Sequence, residues 1–463
     1  MFHKDIYIQR RSELIKKVGD GLILLLGNDQ SGMNFKNNWY PFRQDSSFLY
    51  FAGIDLAGLA ITIDVETSET TLFGDVLTID DIVWTGPLPS LHELAAEVGI
   101  AKVRPYGDLE SVLSTAKNKG ERTHFLPAYR PEHSLKLQKW LDVAPLDSVS
   151  AASETLIKAV VAMRAYKGPE EIKEMEKAVD TSTAMHECFM RHLQPGRNEL
   201  DIAGQMRAIA IANGGDLSYP TILTSRGETL HIHARDLALP EGGIALCDAG
   251  AETAMHYAGD LTRTAPVNGK FSQVQKDMYQ LILDIQLATI DACKPGVPFS
   301  DVHKLSGELL LEGLKSFNII KGDAKEALEL DAHTLFFQCG LGHMIGLDVH
   351  DMENLGEQFV GYTSEQPKNM NFGWKSLRLG RPLEAGFTIT VEPGIYFIPT
   401  LIDLWKAENK LGDFINYTEL EKFRDFGGIR IEDNILITET HNRILGSRMA
   451  PKSIKDMEEI MQA

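Results

Sequence analysis

Five acidic and histidine side chains in the second half of the sequence have the types and surroundings of one metal site. Each lies on or beside an apolar stretch: Asp248 in IALCDAGAE, Asp260 in YAGDLTRT, His343 in GLGHMIGLDVHD, Glu392 in TVEPGIY and Glu432 in GIRIEDN. Buried carboxylates need a counter-charge. Two divalent cations would balance a total of about −4 on the four carboxylates. Such a pair of ions stabilises the attacking and the leaving oxygen of a hydrolysis, so the set predicts a dinuclear hydrolytic centre.

The local sequence indicates how these side chains are positioned. Asp248 follows the apolar run GIALC and Asp260 follows YAG, which predicts a hairpin with both carboxylates on one side. Neighbouring strands lie about 4.8 Å apart, a separation that suits adjacent metals. Glu392 ends the strand-like run FTITVE, and Glu432 lies in the alternating segment 428–437, which predicts another strand.

Each of these residues has an ordinary structural interpretation when taken singly. An Asp before Gly is most often a turn residue, and a lone histidine is more often satisfied in place than a ligand. The prediction of a metal site therefore depends on all five residues together.

Composition narrows the class of protein. The chain has 463 residues, 43% hydrophobic and 24% charged, which is typical of a globular protein with more than one domain. Its net charge of −19 argues against nucleic acid as a partner. The N-terminal sequence MFHKDIYIQRRSELIKK lacks the apolar segment of a signal peptide, and no apolar run has membrane-spanning length, so we expect a cytoplasmic protein with no membrane partner. Four scattered cysteines, at 188, 247, 293 and 339, are expected to be reduced core residues.

The order of elements predicts two domains. A helix at 8–18 and strands at 22–26, 59–64, 71–73 and 124–126, with a helix at 91–98, indicate an N-terminal α/β domain. Pro169 followed by acidic residues is a helix-start signal, which places the boundary just before it: residues 1–165 and 166–463. Beyond it, Ser272 with Gln275 forms a capping box before a long amphipathic helix.

The order of these segments and their amino-acid sequences resemble those of a known family. From about Pro169 to the C-terminus the chain resembles the pita-bread metallopeptidases, which include methionine aminopeptidase, aminopeptidase P, prolidase and the metal-free creatinase. The segment YPFRQDSSFLYFAGID resembles the N-terminal domain of aminopeptidase P and prolidase. The resemblance implies a two-domain α/β protein: an N-terminal creatinase-like α/β domain and a C-terminal pita-bread α+β catalytic domain. It also implies hydrolysis of peptides with proline in second position.

The resemblance also implies a role for each residue. Asp248 would chelate one metal, Asp260 and Glu432 would bridge both metals, and His343 and Glu392 would complete the other site. Glu392 would also move a proton during catalysis. The remaining assignments are substrate contacts by His231 in LHIHARD and His350 in LDVHD, and support of the site by Arg430 and Tyr396.

Two positions depart from the family pattern. The hairpin DAGAETAMHYAGD is one residue longer than in relatives, and Ile232 replaces a tyrosine after His231. An extra residue within paired strands would turn one Asp to the wrong face. We expect the turn around AETAM to absorb it.

The sequence favours a dipeptidase. Recognition of a dipeptide requires a group for its C-terminal carboxylate, and Arg378 in SLRLGRPLEAG matches the arginine that prolidases use. The segment 399–426 also resembles a prolidase insertion. We therefore predict an Xaa-Pro dipeptidase (prolidase), with an Xaa-Pro aminopeptidase (aminopeptidase P) as the alternative.

A different class of hypothesis is a non-catalytic relative that binds peptides or proteins, although such relatives have broken ligand sets and this one is intact. The oxygen-rich ligands favour two manganese ions, with cobalt or zinc as alternatives. By resemblance, we expect a homodimer or homotetramer.

Overall fold

The computed structural model describes residues 1–462 and divides into two compact units. The first comprises Met1–Arg164 together with Met352–Phe359. The second comprises Ala165–Asp351 and the chain from Val360 onward. The short segment Met352–Phe359 groups with the first unit, an arrangement that a single cut in the sequence does not anticipate.

The first unit combines helices with one mixed sheet. Its helices are α1 (Lys4–Val18), α2 (Ser46–Ala52), α3 (Ile79–Thr85), α4 (Leu91–Glu97), α5 (Leu109–Asn118), α6 (Pro131–Leu141) and α7 (Glu154–Arg164). Its strands are β1 (Leu22–Leu26), β2 (Ala60–Asp64), β3 (Thr70–Phe73), β4 (Lys102–Arg104) and β5 (Thr123–His124). The sheet order is β4-β3-β2-β1-β5, with β5 parallel to β1 and β2 antiparallel to it.

The apolar run of β1 is buried because helices cover the sheet. Leu24 of β1 and Phe73 of β3 pack with Leu113 of α5 and Leu137 of α6 in one core. The strand predicted at 124–126 is shorter and begins earlier, since only the two residues of β5 pair with β1. The first helix also begins earlier than predicted, at Lys4.

The second unit carries the predicted metal ligands. Its helices are α8 (Pro169–His192), α9 (Glu199–Ala212), α10 (Gln273–Ala292), α11 (Phe299–Leu314), α12 (Ala324–Glu329), α13 (Glu357–Val360, which begins in the first unit), α14 (Pro399–Ala407), α15 (Tyr417–Leu420) and α16 (Ile454–Ile460). Its strands are β6 (Asp216–Leu217), β7 (Ile222–Thr224), β8 (Ile244–Ala249), β9 (Ala251–Glu252), β10 (Leu261–Pro266), β11 (Thr388–Val391), β12 (Gly394–Tyr396), β13 (Gly428–Arg430), β14 (Asp433–Ile437) and β15 (Asn442–Ile444). Within residues 1–462, no helix is long and apolar enough to cross a membrane.

Two helix starts follow the predicted rules. Pro169 occupies the first turn of α8, and the backbone N–H of Gly168 donates to Glu171 Oε2 at 3.0 Å. The Ser272 side chain accepts from the Gln275 backbone N–H, while Gln275 Oε1 accepts from the Ser272 N–H, so the predicted capping box is present at α10.

The strands of the second unit form small antiparallel sheets that meet near the predicted ligands. Their orders are β10-β8-β7, β11-β14-β15, β12-β13 and β6-β9. The prediction of one strand over 428–437 is wrong, because the chain changes partner within it: β13 pairs with β12, and β14 pairs with β11. Glu432 lies at this change, where its backbone N–H donates to the Thr262 carbonyl at 3.1 Å.

Two histidines of the second unit are enclosed in an aromatic cluster. His303 lies on α11 and His333 on the short 3-10 helix Ala332–Leu335, and both are fully buried. Their rings meet Trp374 edge to face, with centroids 4.9 and 5.2 Å from the indole. Neither ring has a hydrogen-bond partner within residues 1–462. Burial lowers the pKa of His303 to about 3 and that of His333 to about 4.

This cluster makes the fold sensitive to acid. Because the unfolded histidines bind protons below a pKa of about 6.5 and the folded ones do not, acidification from pH 7.5 to 5.5 favours unfolding. His303→Phe should reduce the loss of unfolding free energy over that interval by about 1.4 kcal/mol, the value of one pH unit below the unfolded pKa. Urea denaturation at the two pH values measures this. The exposed His92→Phe is the control, and an unchanged loss in His303→Phe would contradict the assignment.

Candidate active site

The five predicted ligands line one cavity of the second unit, of about 460 Å³. Asp248 belongs to β8 and Asp260 directly precedes β10. Glu392 directly follows β11, Glu432 lies between β13 and β14, and His343 comes from an irregular segment. The cavity thus brings together side chains from three separate antiparallel pairings.

The hairpin between the two aspartates keeps their carboxylates together. Paired residues run without interruption from Ala249 opposite Leu261 to Ile244 opposite Pro266. Beyond this ladder, the tip closes with His256 at a φ of 65°. The two carboxylates both lie within hydrogen-bond distance of the hydroxyl of Tyr219, so the hairpin places them on the same side.

Three of the ligands are close enough to share an ion. Ligand atoms of Asp260, His343 and Glu432 lie within 4.8 Å of one another. His343 Nε2 lies 3.4 Å from Asp260 Oδ2 and 3.6 Å from Glu392 Oε1. The Nδ1 of His343 lies 3.0 Å from the Met344 carbonyl, which favours a proton on Nδ1 and leaves Nε2 facing the carboxylates.

The carboxylates repel one another in this buried space. Burial, with the charges of Asp260, Glu392 and Asp248, raises the pKa of Glu432 well above its usual value. Burial, with Asp260 and Asp248, raises the pKa of Glu392 to about 7 against the opposing effects of His343 and Arg430. For Asp260, burial is outweighed by contact with His343, which lowers its pKa.

The residues fit divalent metal. Glu432 Oε1 is buried and has no hydrogen-bond partner within residues 1–462, although Thr262 Oγ1 donates to the other oxygen at 2.6 Å. An orphaned carboxylate oxygen beside three other carboxylates is the donor set that hard divalent cations select. Asp248, Asp260, His343, Glu392 and Glu432 can together hold such ions.

Arg430, which the resemblance assigns to support of the site, contacts residues on one side of the cavity. Its Nη2 donates to Asp248 Oδ2 at 2.6 Å, its Nη1 to Tyr396 Oη at 2.9 Å and its Nε to Thr262 Oγ1 at 3.1 Å. The guanidinium is buried and its donors fix Asp248 in one orientation. Tyr396 thus meets the site through Arg430.

Arg263, for which the sequence analysis predicted no role, binds the backbone of Glu432. Its side chain is fully buried, and its Nη1 donates to the Glu432 carbonyl at 2.7 Å. Its Nη2 donates to Asp433 Oδ1 at 2.7 Å, and Lys452 Nζ lies 2.6 Å from Asp433 Oδ2. An arginine alternating with threonines in a strand gives no sequence signal, because its partners lie far along the chain.

Other contributors were also missed. The Tyr219 hydroxyl lies within hydrogen-bond distance of both aspartates, and Thr390 Oγ1 accepts from the His343 backbone N–H at 3.1 Å. The prediction that all four cysteines lie in the core is wrong for Cys188 and Cys339, which are both half-buried. Cys339 lines the cavity, with Sγ 3.6 Å from Tyr396 Oη. Its position four residues before His343 was the available signal.

The predicted substrate-contacting residues also line the cavity. They are His231, His350 and Arg378, together with His233, to which no role was assigned. The His350 ring packs edge to face on that of His343, with centroids 4.3 Å apart. Burial and the nearby Arg430 lower the pKa of His231, which favours its neutral form.

Comparison with known proteins agrees with this architecture. Residues 173–439 match the model of metallopeptidase family M24, and residues 7–125 match that of the aminopeptidase P N-terminal domain. The first match covers more than half of the chain. The chain therefore belongs to metallopeptidase family M24 and has the two-domain α/β architecture expected from the sequence.

Individual relatives extend the comparison to nearly the full length. A probable Xaa-Pro aminopeptidase of Colletotrichum graminicola is 32% identical over 91% of this chain and 88% of its own length. A probable Xaa-Pro aminopeptidase of Sordaria macrospora is 31% identical over 96% of this chain and 91% of its own length. Zinc-substituted Escherichia coli aminopeptidase P in complex with product is 27% identical, with a TM-score of 0.82 over 100% of this chain and 99% of its own. The complex of aminopeptidase P from the same organism with the inhibitor Pro-Leu has a TM-score of 0.80.

Divalent metal should stabilise the folded protein through Glu432. At a manganese concentration of about 100 times Kd the wild type should gain about 2.7 kcal/mol of unfolding free energy, whereas Glu432→Gln should gain much less. Without metal, Glu432→Gln should be at least as stable as the wild type because one repelling carboxylate is gone. Thermal denaturation with measurement of bound metal checks both results.

The exposed Glu439→Gln, just beyond β14, serves as the control and should respond to manganese like the wild type. Equal metal content and equal stabilisation in Glu432→Gln would contradict the assignment of Glu432 as a ligand.

Proposed function

We propose that this metallopeptidase is an Xaa-Pro aminopeptidase, which releases the N-terminal residue from peptides whose second residue is proline. The observation that carries the proposal is the near full-length similarity of both units to proteins described as Xaa-Pro aminopeptidases and to aminopeptidase P. Of the two substrate hypotheses raised by the sequence, these relatives favour the alternative over the dipeptidase.

We assign two divalent ions to the five ligands, with manganese as the native metal because oxygen donors predominate. When bound, the ions supply a Lewis acid that polarises the scissile carbonyl and an activated water molecule. The ligand carboxylates differ in access. The Glu392 side chain is 18% exposed and faces the cavity, whereas the Asp260 side chain is 7% exposed. Glu392 is therefore the carboxylate best placed to take a proton and return it to the leaving amine.

His231 and His350 are proposed to hydrogen-bond the substrate and the developing oxyanion. Both rings line the cavity beside the ligands, and preorganised donors are most effective where charge develops. Arg430 contributes by holding Asp248, and Tyr396 by bonding to Arg430.

The dipeptidase remains a second candidate because Arg378 lines the same cavity as Glu392 and His231. A guanidinium in this cavity can form a bidentate interaction with the carboxylate of a C-terminal proline. A longer peptide carries that carboxylate elsewhere, so substrate length separates the two functions.

The first test compares proline release from Ala-Pro with alanine release from Ala-Pro-Ala by the manganese-loaded enzyme. We expect a clear preference for the tripeptide, with Arg378→Ala changing its kcat/KM by less than about threefold, since the C-terminal carboxylate of a longer peptide lies elsewhere. Rapid cleavage of Ala-Pro that falls at least about 100-fold in Arg378→Ala, the loss of a buried charge-assisted contact, would instead establish the dipeptidase.

Arg381→Ala is the matched control for that substitution. Arg381 belongs to the same basic segment, but its Nη2 donates to Glu384 Oε1 at 2.7 Å and it does not line the cavity. Both substrates should be cleaved by Arg381→Ala at wild-type rates.

Alanine at His231 or His350 should lower kcat by roughly 100- to 1000-fold, the usual cost of one lost donor to a developing oxyanion. Bound metal should stay at the wild-type level, because neither residue belongs to the proposed ligand set. Steady-state kinetics with metal analysis tests this. Full activity in either variant, or loss of metal in proportion to activity, would contradict the proposed role.

The cytoplasmic location and the homodimeric or homotetrameric assembly expected from the sequence stay predictions.

A further inference from the structure

Glu199 carries a completely buried carboxylate outside the metal-ligand set. It is the first residue of α9, after Asn198, and its exposed fraction is 0%. Burying a carboxylate is costly unless donors surround it. One oxygen of Glu199 accepts the backbone N–H of Ser225 at 3.0 Å, and the other accepts that of Arg235 at 3.3 Å. The positive end of the helix stabilises the charge further.

The two amides bonded by Glu199 bracket the segment that presents His231. This segment, 225–235, leaves the end of β7 at Thr224 and contains no regular strand or helix. On the return side, the Ala234 N–H donates to the Thr221 carbonyl at 3.2 Å, and His233 forms a bridge with Ile222. One carboxylate therefore joins both ends of the segment to α9.

The two hydrogen bonds from Ser225 and Arg235 require a carboxylate at position 199. Both of its oxygens accept hydrogen bonds, whereas a glutamine amide offers one acceptor and one donor group. In Glu199→Gln, one of the two backbone N–H groups would lose its acceptor and meet an N–H donor instead. The Glu199 side chain would then bond the backbone at only one end of the segment.

We infer that Glu199 is a positioning residue for His231 in the reaction, an inference that rests on the proposed function of that histidine. Glu199 touches neither substrate nor metal in this arrangement. It fixes the loop from which the His231 ring reaches the cavity, and displacement of a reacting group by about 1 Å costs about 100-fold in rate.

A double-mutant cycle tests the inference in manganese-loaded enzyme with Ala-Pro-Ala as substrate. Glu199→Gln should lower kcat/KM by roughly 10- to 100-fold in the wild-type background, as expected for a misplaced group. In the His231→Ala background it should lower kcat/KM by less than about twofold, since the group that it positions is absent. Equal losses in the two backgrounds would overturn the inference.

Asn198→Ala provides the matched control for loosening of α9. The Asn198 side chain caps the helix by accepting the Leu200 N–H at 2.9 Å and donates to the Asp236 side chain, just outside 225–235. We expect a lower Tm with kcat/KM within about twofold of the wild type, because the cap is lost while the bonds of Glu199 to Ser225 and Arg235 stay in place. An activity loss as large as that of Glu199→Gln would overturn the inference.

Hydrogen exchange tests whether Glu199 holds segment 225–235, without any assay of activity. In the metal-loaded protein, Glu199→Gln should raise amide exchange in peptides covering 225–235 while peptides within 201–212 of α9 keep wild-type protection. Glu199→Asp, which retains the charge on a shorter side chain, should do the same to a smaller degree and supplies the variant if Glu199→Gln does not fold. Unchanged exchange in 225–235 would overturn the inference.

These readouts separate the two proposals. A wild-type enzyme that leaves Xaa-Pro peptides intact would refute the proposed function, and the exchange data would still decide whether Glu199 holds the loop. Cleavage with additive effects of Glu199→Gln and His231→Ala would refute only the positioning role.

Discussion

The mutual repulsion of four carboxylates in one buried space is the constraint on which the second unit depends. Asp248, Asp260, Glu392 and Glu432 lie close enough that burial and their charges raise the pKa values of three of them. Without cations, the repulsion between these carboxylates lowers the stability of the folded state. Other contacts in the surrounding structure must therefore offset it. Those contacts come from Arg430, whose guanidinium binds Asp248, and from the fully buried Arg263 behind Glu432. Divalent metal completes the balance of charge, which links metal binding to stability as well as to catalysis.

The backbone supports the same arrangement through short strands that change partners. Glu432 sits between β13 and β14, where the chain passes from one antiparallel pairing to another and its N–H bonds to Thr262. A break in a strand frees a side chain from the strict alternation of the pleat. Glu392 occupies the comparable position between β11 and β12, before Pro393. Both glutamates therefore reach the cavity from points where strands end, while the two aspartates come from a continuous hairpin.

Much of the fold and of the ligand set could be predicted from local signals. Residues 22–26 form a strand because five consecutive apolar side chains are bounded by glycines, and α8 and α10 begin where Pro169 and Ser272 predict. Asp248 and Asp260 lie together, as expected, because β8 and β10 pair without interruption. Predictions failed where the outcome depended on distant partners. The alternating segment 428–437 could not reveal its change of partner strand, and Cys339 has the apolar neighbours of a core residue yet faces the cavity.

The sequence by itself determined the residue types available for chemistry, in the order Asp, Asp, His, Glu, Glu, with further histidines near them, and the two-domain order of elements. These depend on side-chain identity and on patterns only a few residues long. The tertiary structure decided which groups support that chemistry. The contacts of Tyr219 with Asp248, of Arg263 with Glu432 and of Glu199 with Ser225 join residues that are 29, 169 and 26 positions apart in the chain. Buried polar groups are generally stable only when they are hydrogen-bonded. Which partner each group meets depends on how the whole unit packs, and local sequence does not specify it.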